Sequence, residues 1–153
     1  MTAVVLGGKE LVAALGALPN NVFRRVLRTA VKAGIAPVLM AARAKVPIET
    51  LQLSKSLSVK IKVYPQSGVI VGMVGATSLR GVDGRDPAKY AHLVEGGHVV
   101  RNVEGGPVLG TVAPRPFLTP ALEDNREAIV AKFGAKLRQG IDREAKRIAK
   151  GPP

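Results

Sequence analysis

One change of hydrophobic period constrains this chain more than anything else in it. From Leu57 to Tyr64, apolar Leu57, Val59, Ile61 and Val63 alternate with Ser58, Lys60, Lys62 and Tyr64. That is the pattern of a strand with one wet face. On either side the apolar residues recur at three- and four-residue spacing, as in amphipathic helices. A chain that reads helix, strand, helix in this way is α+β and not a bundle or a sandwich.

The remaining elements follow from the same reading. Gly7 and Gly8 precede a short amphipathic segment through Leu11, Ala14, Leu15 and Leu18, closed by Pro19. Asn20 or Asn21 can cap a second helix from about Val22 to Ala44, with Phe23, Val26, Leu27, Ala30, Val31, Val38 and Leu39 on its apolar side. Pro37 lies inside it and is expected to kink or split it. Pro65 to Gly68 turn the first strand into a second over Val69 to Val74, and a polar loop runs from Gly75 to Asp86. Pro87 suits the first position of a short helix through Tyr90 and Val94, which Gly96 and Gly97 end. His98 to Val103 and Val108 to Val112 flank Gly105, Gly106 and Pro107 as a second hairpin.

Thr119 is a natural N-cap for a last helix, with Pro120 first and Glu123, Asp124 and Glu127 at the positive end of its dipole. Leu122, Ile129, Phe133, Leu137, Ile141 and Ile148 form its expected buried stripe. About thirty residues make a rod of roughly 45 Å, long enough to overshoot its own domain and pack on a neighbour. The expected fold is therefore a small antiparallel sheet of about four strands in two hairpins. It packs with a kinked N-terminal helix and a long C-terminal helix, as one domain over residues 1–150 with 151–153 a disordered end.

Composition restricts the chemistry. Among 153 residues, aromatics are 3%, Trp and Cys are absent, and Lys and Arg outnumber Asp and Glu by 23 to 11, for a net charge of +12. The core must be aliphatic around the few rings Phe23, Tyr64, Tyr90, Phe117 and Phe133. Without cysteine there is no disulfide framework, thiolate ligation or thiol catalysis. No apolar run reaches the ~18 residues of a spanning helix, and Met1 to Leu6 lack the basic and apolar parts of a secretory signal. A soluble domain made inside the cell is expected. Basic residues exceed acidic ones in every third of the chain, and no polybasic tail occurs. Such a spread suits a folded domain beside polyanion, while the shortage of rings argues against single-strand binding by stacking.

Catalytic arrays are thin. His92, Glu95 and His98 form an H-x-x-E-x-x-H run, but zinc-binding histidines on a helix need i and i+4 spacing, and Gly96 with Gly97 breaks the helix between them. The glycine stretches at Gly81 to Gly84 and Gly105 to Gly110 lack the Lys-Ser/Thr ending of a phosphate-binding loop and read as turns. Ser54, Ser56 and Ser58 have no evident base, and Asp83 with Asp86 reads as a solvated loop before a cation site. The expectation is a protein that is not an enzyme and uses no cofactor or metal.

Three segments, by contrast, resemble one family. Pro47-Ile48-Glu49-Thr50-Leu51-Gln52-Leu53-Ser54-Lys55-Ser56 is similar to the pattern P-x-x-T-G-x-L-x-x-S. Tyr90-Ala91-His92-Leu93-Val94-Glu95-Gly96-Gly97 is similar to Y-A-x-x-V-E-F/Y-G. Pro116-Phe117-Leu118-Thr119-Pro120-Ala121-Leu122 is similar to P-F-L-x-P-A-L. In this order, around a hairpin, they resemble the tail-completion or head–tail joining proteins of long-tailed double-stranded DNA bacteriophages, often described as minor tail or neck components. Leu51 replaces the glycine of the first pattern and Gly96 the aromatic of the second.

The resemblance implies structural roles for Pro47, Thr50, Leu53, Ser56, Tyr90, Ala91, Val94, Glu95, Gly97, Pro116, Phe117, Leu118, Pro120 and Ala121. Pro47 would end the long helix, Tyr90 and Val94 would bury one helical face, and Phe117 with Leu118 would form an apolar plug. For Glu95, pairing with arginine, capping of backbone amides and an ordinary solvated carboxylate all stay open. The resemblance further implies a connector: a homo-oligomeric ring, of six copies, in the virion neck or tail. It would be made in the bacterial host cytoplasm and touch head-closure, tail-terminator or tail-tube proteins and, by charge, genomic DNA. No membrane partner is expected. Arg80, Arg85, Lys136, Arg143 and Arg147 are the candidate subunit or DNA contacts. The competing reading is a sequence-independent DNA-binding domain without a virion role.

Overall fold

The computed structural model describes residues 20–47, 51–78, 85–102 and 104–150. The short segment around Leu11 to Leu18, Arg80, Thr50 and the chain end at 151–153 lie outside the described residues. In chain order the elements are α1 (Asn20–Lys45), α2 (Leu51–Ser56), β1 (Leu57–Tyr64), β2 (Val69–Ala76), α3 (Pro87–Gly96), β3 (His98–Arg101), β4 (Val108–Val112), α4 (Leu118–Glu123) and α5 (Arg126–Ala149). The α+β class holds. The four strands are two separate antiparallel hairpins, β1–β2 and β3–β4, and do not join into one sheet.

Helix α1 is the spine. Its helical backbone continues through Pro37, so the proline does not split it. Pro37 is buried, as are Val38, Ala42 and Val46 beyond it, so tertiary packing on both sides outweighs the lost donor. The Asn21 Oδ1 accepts from the Val22 amide at 2.8 Å in the first turn.

Strands β1 and β2 pair from Leu57↔Ala76 to Tyr64↔Val69, and the predicted alternation decides their faces. Leu57, Val59, Ile61 and Val63 turn toward α1, and Lys60, Lys62 and Tyr64 turn to solvent. The Lys62 ammonium lies 4.8 Å from the Tyr64 ring centre, a cation–π contact on that outer face. Strand β2 brings Gly72 under α1, where an added Cβ would lie 2.9 Å from Val31 Cγ1 and 3.3 Å from Ile35 Cδ1. Strand β2 is not uniformly inward: Val69, Val71 and Met73 are exposed on the outer face.

The last helix departs from its expectation in three ways. Thr119 is not its N-cap; Phe117 occupies that position. The helix breaks at Asp124 and Asn125 into α4 and α5. There the Asn125 Nδ2 donates to the Ala121 carbonyl at 2.9 Å and Lys45 Nζ reaches Asp124 Oδ2 at 2.9 Å, tying the break to the end of α1. Finally, the twenty-four residues of α5, roughly 36 Å of helix, find their partner inside the chain. Helix α5 runs antiparallel to α1, with Phe133 against Gly34 and Gly140 against Val26. Leu137 is buried with Val22, Val26 and Ala30, and Phe133 and Ile141 pack beside them. Leu122 and Ile148, expected inside, are 47% and 56% exposed.

Gly34 permits this helix crossing. An added Cβ there would sit 3.1 Å from Phe133 Cβ and 3.2 Å from the Ile129 carbonyl oxygen. The helix-propensity gain of Gly34→Ala, about 1 kcal/mol, is opposed by overpacking of about 1–3 kcal/mol. A net loss of roughly 1 kcal/mol in urea unfolding is expected. A clear gain in stability would show that the two helices have room to spare.

Candidate functional site

The three sequence patterns meet in one place. Val46, Leu53 and Leu57 near the first, Ala91 of the second, and Phe117 and Ala121 of the third share a buried cluster with Val38 and Ala42 of α1. Tyr90, Val94 and Leu118 pack against it. Phe117 is fully buried, the one large ring to be so among the described residues. It sits where α4 begins, so it fixes how the terminal helices leave the core. Burial of such a side chain contributes about 1.5–3 kcal/mol.

The approach to β1 is a helix, α2, that was not anticipated: a six-residue segment is too short to show a period. Leu51 starts it, 66% exposed, so the missing glycine is replaced by a helical turn and not by a strained loop. Ser56 closes it and is buried. Its hydroxyl donates to the Leu53 carbonyl at 2.8 Å, and its own carbonyl accepts from the Thr77 amide at 3.0 Å and hydroxyl at 2.8 Å. Arg43 Nη2 donates to the Leu57 carbonyl at 2.7 Å and holds the start of β1 to α1.

Helix α3 shows capping chemistry that the Asp-Pro pair announces. Asp86 Oδ1 accepts from the Ala88 amide at 3.0 Å and Oδ2 from the Ser78 hydroxyl, so this aspartate is an N-cap. At the other end Gly97 takes φ +70°, ψ 171° and the chain leaves as β3. Gly96 is exposed, and nothing lies within 4 Å of a Cβ placed there. The absent aromatic therefore leaves the surroundings of Glu95 intact.

Glu95 resolves its three open readings in favour of amide capping. Oε2 accepts from the Phe117 amide at 2.8 Å and the Leu118 amide at 2.9 Å. Oε1 accepts from the Thr119 amide and the Thr119 hydroxyl, each at 2.9 Å. The first amides of α4 have no partner within that helix, and a carboxylate at its positive end satisfies them. Burial, the largest single influence, pushes the Glu95 carboxyl up. The backbone bonds from Leu118, Phe117 and Thr119 and the Thr119 hydroxyl together outweigh it, and the group titrates below the ordinary glutamate value. Arg115, whose amide donates to the Val94 carbonyl at 2.9 Å, closes the same turn.

Both Glu95 oxygens are thus engaged with backbone. His92 is exposed, while His98 lies on β3 and faces a cavity of about 240 Å³ lined also by Pro47, Leu53, Tyr90 and Val94. The Tyr90 hydroxyl and His98 Nδ1 are buried without a hydrogen-bond partner in the protein.

Charge collects elsewhere, along the seam of α1 and α5. Arg25, Thr29, Lys136, Gln139, Arg143 and Glu144 line a hollow of about 120 Å³. Glu144 is buried, with Arg25 Nη2 2.6 Å from Oε1 and Arg147 Nε 3.0 Å from Oε2. Lys136 and Arg143 are therefore brought together, Arg147 is committed to Glu144, and Arg85 stands apart at the start of α3. Arg25 belongs to this basic seam although its sequence position gave no sign of it, because only the helix crossing sets it beside α5.

Fold and site define a structural class: an α+β module clasped by antiparallel helices, whose best-built polar contacts hold one backbone turn in place. Comparison with protein families takes the assignment further. The chain belongs to the HK97-gp10-like family, described as "Bacteriophage HK97-gp10, putative tail-component", whose model matches residues 9–97. The match spans more than half of the chain and contains the first two patterns, while Pro116 to Leu122 lie beyond it. It is a family of phage tail components, which gives the chain a structural role and a place in the virion. No curated protein and no solved structure matches the chain.

Proposed function

We propose that the protein is a non-enzymatic connector at the head–tail junction, forming a ring of six copies that completes the tail and surrounds the DNA path. Family membership carries this reading. Two features support it. Among the described residues, the carboxylates with the most hydrogen bonds and ion pairs serve backbone capping, as at Glu95 and Asp86, and the Arg25–Glu144–Arg147 group. The seam with Lys136 and Arg143 offers sequence-independent charge to a phosphate backbone. A DNA-binding domain without a virion role shares the second feature and not the family.

Particles produced without the protein are expected to separate on a gradient into filled heads and free tails. Normal infectious particles would overturn the proposal. Duplex gel shifts at low salt test the charge by themselves; their failure would remove the DNA contact and leave the junction role standing.

A further inference from the structure

Helix α5 places a buried carboxylate in the middle of a basic seam. Glu144 lies at the crossing of α1 and α5 with 7% of its side chain accessible, whereas the guanidinium-bearing side chains beside it are open, Arg25 at 60% and Arg147 at 64%. Oε1 accepts a hydrogen bond from Arg25 Nη2 on the other helix. Oε2 holds Arg147 Nε at 3.0 Å by charge, without hydrogen-bond alignment. A polyanion approaching the seam therefore meets the cations and not the acid.

An arginine presents five N–H donors in a rigid fork, so a contact to Glu144 leaves most of each fork open. Lys136 and Arg143 complete the cationic lining of the hollow, and Lys136 Nζ donates to Gln139 Oε1 at 2.8 Å. Arg143 is exposed and has no hydrogen bond or ion pair among the described residues. Four cations thus stand around one buried carboxylate. Asp142 is exposed and does not line the hollow.

The dimensions fit a duplex backbone. A hollow of about 120 Å³ takes several water-sized groups of about 10–15 Å³ each, enough for the free oxygens of a phosphodiester. From Lys136 to Arg147 the helix rises roughly 16 Å, and one DNA strand presents a phosphate about every 3.4 Å of duplex axis. Four or five phosphates, roughly, pass within that length. No aromatic side chain lines the hollow, so stacking on a single strand cannot contribute there.

We propose that this seam is a duplex-DNA backbone site and that Glu144 is its positioning residue, holding Arg25 across the helix crossing in line with Lys136 and Arg143. A long side chain loses rotamer freedom when it grips a phosphate, and fixing Arg25 beforehand removes that cost. The inference rests on the connector reading for the source of the polyanion and goes beyond it in giving a buried acid a part in binding an anion.

Fluorescence anisotropy of a labelled duplex of arbitrary sequence, titrated with the full chain from about 50 to 200 mM salt, tests it. Lys136→Gln and Arg143→Gln should each weaken binding about eightfold at ~0.1 M salt and lower the salt slope by about 0.9. Lys89→Gln removes the same charge from α3 and should stay within about twofold of wild type. Glu144→Gln and Glu144→Ala give the sharper contrast. Each raises the net charge by one, so a seam acting by charge alone would bind more tightly. A positioning role predicts the reverse. Binding weakens about threefold for glutamine, which can still accept from Arg25, and up to about eightfold for alanine, with a salt slope smaller by up to about 0.9. Melting curves confine the comparison to folded protein, and the glutamine variant keeps the shape if the alanine variant unfolds. Tighter binding by either Glu144 variant would overturn the positioning role. Seam variants no weaker than Lys89→Gln, or no duplex binding at the lowest salt, would overturn the site. Seam variants that bind duplex normally but leave heads and tails unjoined would overturn it in favour of an acidic protein surface. Whether particles assemble without the protein decides the connector reading separately.

Discussion

Replacing Glu95 by Ala is expected to lower the stability of this protein by about 3 kcal/mol, because it strips a charged acceptor from three backbone amides at once. For a chain of this length that corresponds to a fall in melting temperature of roughly 6–12 °C. Glu95→Gln should fall in between, since one of its two terminal atoms becomes a donor facing N–H groups. Glu95→Asp should resemble the alanine variant, because the shortened side chain retracts from α4.

The pH dependence carries a sign that identifies the cause. The folded carboxyl titrates below its ordinary value of 4.5, so on acidification the unfolded chain takes up the proton first. The stabilisation is fully present above the ordinary value and is lost as pH falls through the lower folded-state value. Urea midpoints measured on either side of that window should therefore converge for the wild type and Glu95→Gln at acid pH and separate above it. A Glu95→Ala variant within about 0.5 kcal/mol of wild type, the range of an ordinary surface substitution, would refute the clamp.

Two residues further on, Gly97→Ala is expected to be the most damaging glycine-to-alanine substitution among the described residues. The backbone there has φ +70° and ψ 171°, a conformation that costs an L-residue about 1–3 kcal/mol. The new Cβ would also meet the Val112 carbonyl oxygen at 2.6 Å and the Pro114 nitrogen at 2.8 Å. Both are main-chain atoms and neither can turn aside. Together the strain and the clash imply a loss of about 3–5 kcal/mol in urea unfolding. Gly96→Ala is the control, being exposed and open around the new carbon, and should be neutral or slightly stabilising. Equal effects at the two positions would show that helix termination alone, and not the close approach of β4, demands glycine at Gly97.

The patterns that were legible in advance are those written over short stretches. Alternation over Leu57 to Tyr64 placed β1 to the residue, and the Pro-Gln-Ser-Gly turn placed β2. Pro87 and the paired glycines bounded α3, and the glycine-proline run located the second hairpin. In these segments side-chain period and turn chemistry act within a few residues of each other, so no distant contact is needed to read them. The resemblance in Tyr90 to Gly97 likewise pointed to the right family from local residues alone.

What failed did so where a distant partner overrides a local signal. Thr119 looked like an N-cap, yet Phe117 holds that position and the amides there are satisfied by the side chain of Glu95, 24 residues before Thr119. A continuous stripe from Leu122 to Ile148 predicted one rod, but Lys45 and the Asn125 side chain stabilise a break within it. Pro37 looked like a point of division, but burial of the residues around it keeps the helix whole. The rod was expected to seek a neighbouring molecule, whereas α1 already covers it through Gly34 and Gly140. The β3–β4 hairpin instead leaves Val99, Val100, Val108, Leu109 and Val112 exposed, although its apolar residues resembled those of any buried strand.

By itself, then, the amino-acid sequence determined the α+β class, the order of helices and hairpins and the family, because period, turns and motifs are local properties of the chain. Only the tertiary structure decided which groups meet. It brought three separated patterns around Phe117, settled the three open readings of Glu95 as a clamp on backbone amides, and set Arg25 beside Lys136 and Arg143. Those pairings depend on how α1 and α5 cross and on where the backbone turns after Gly97, distances that no spacing along the chain encodes.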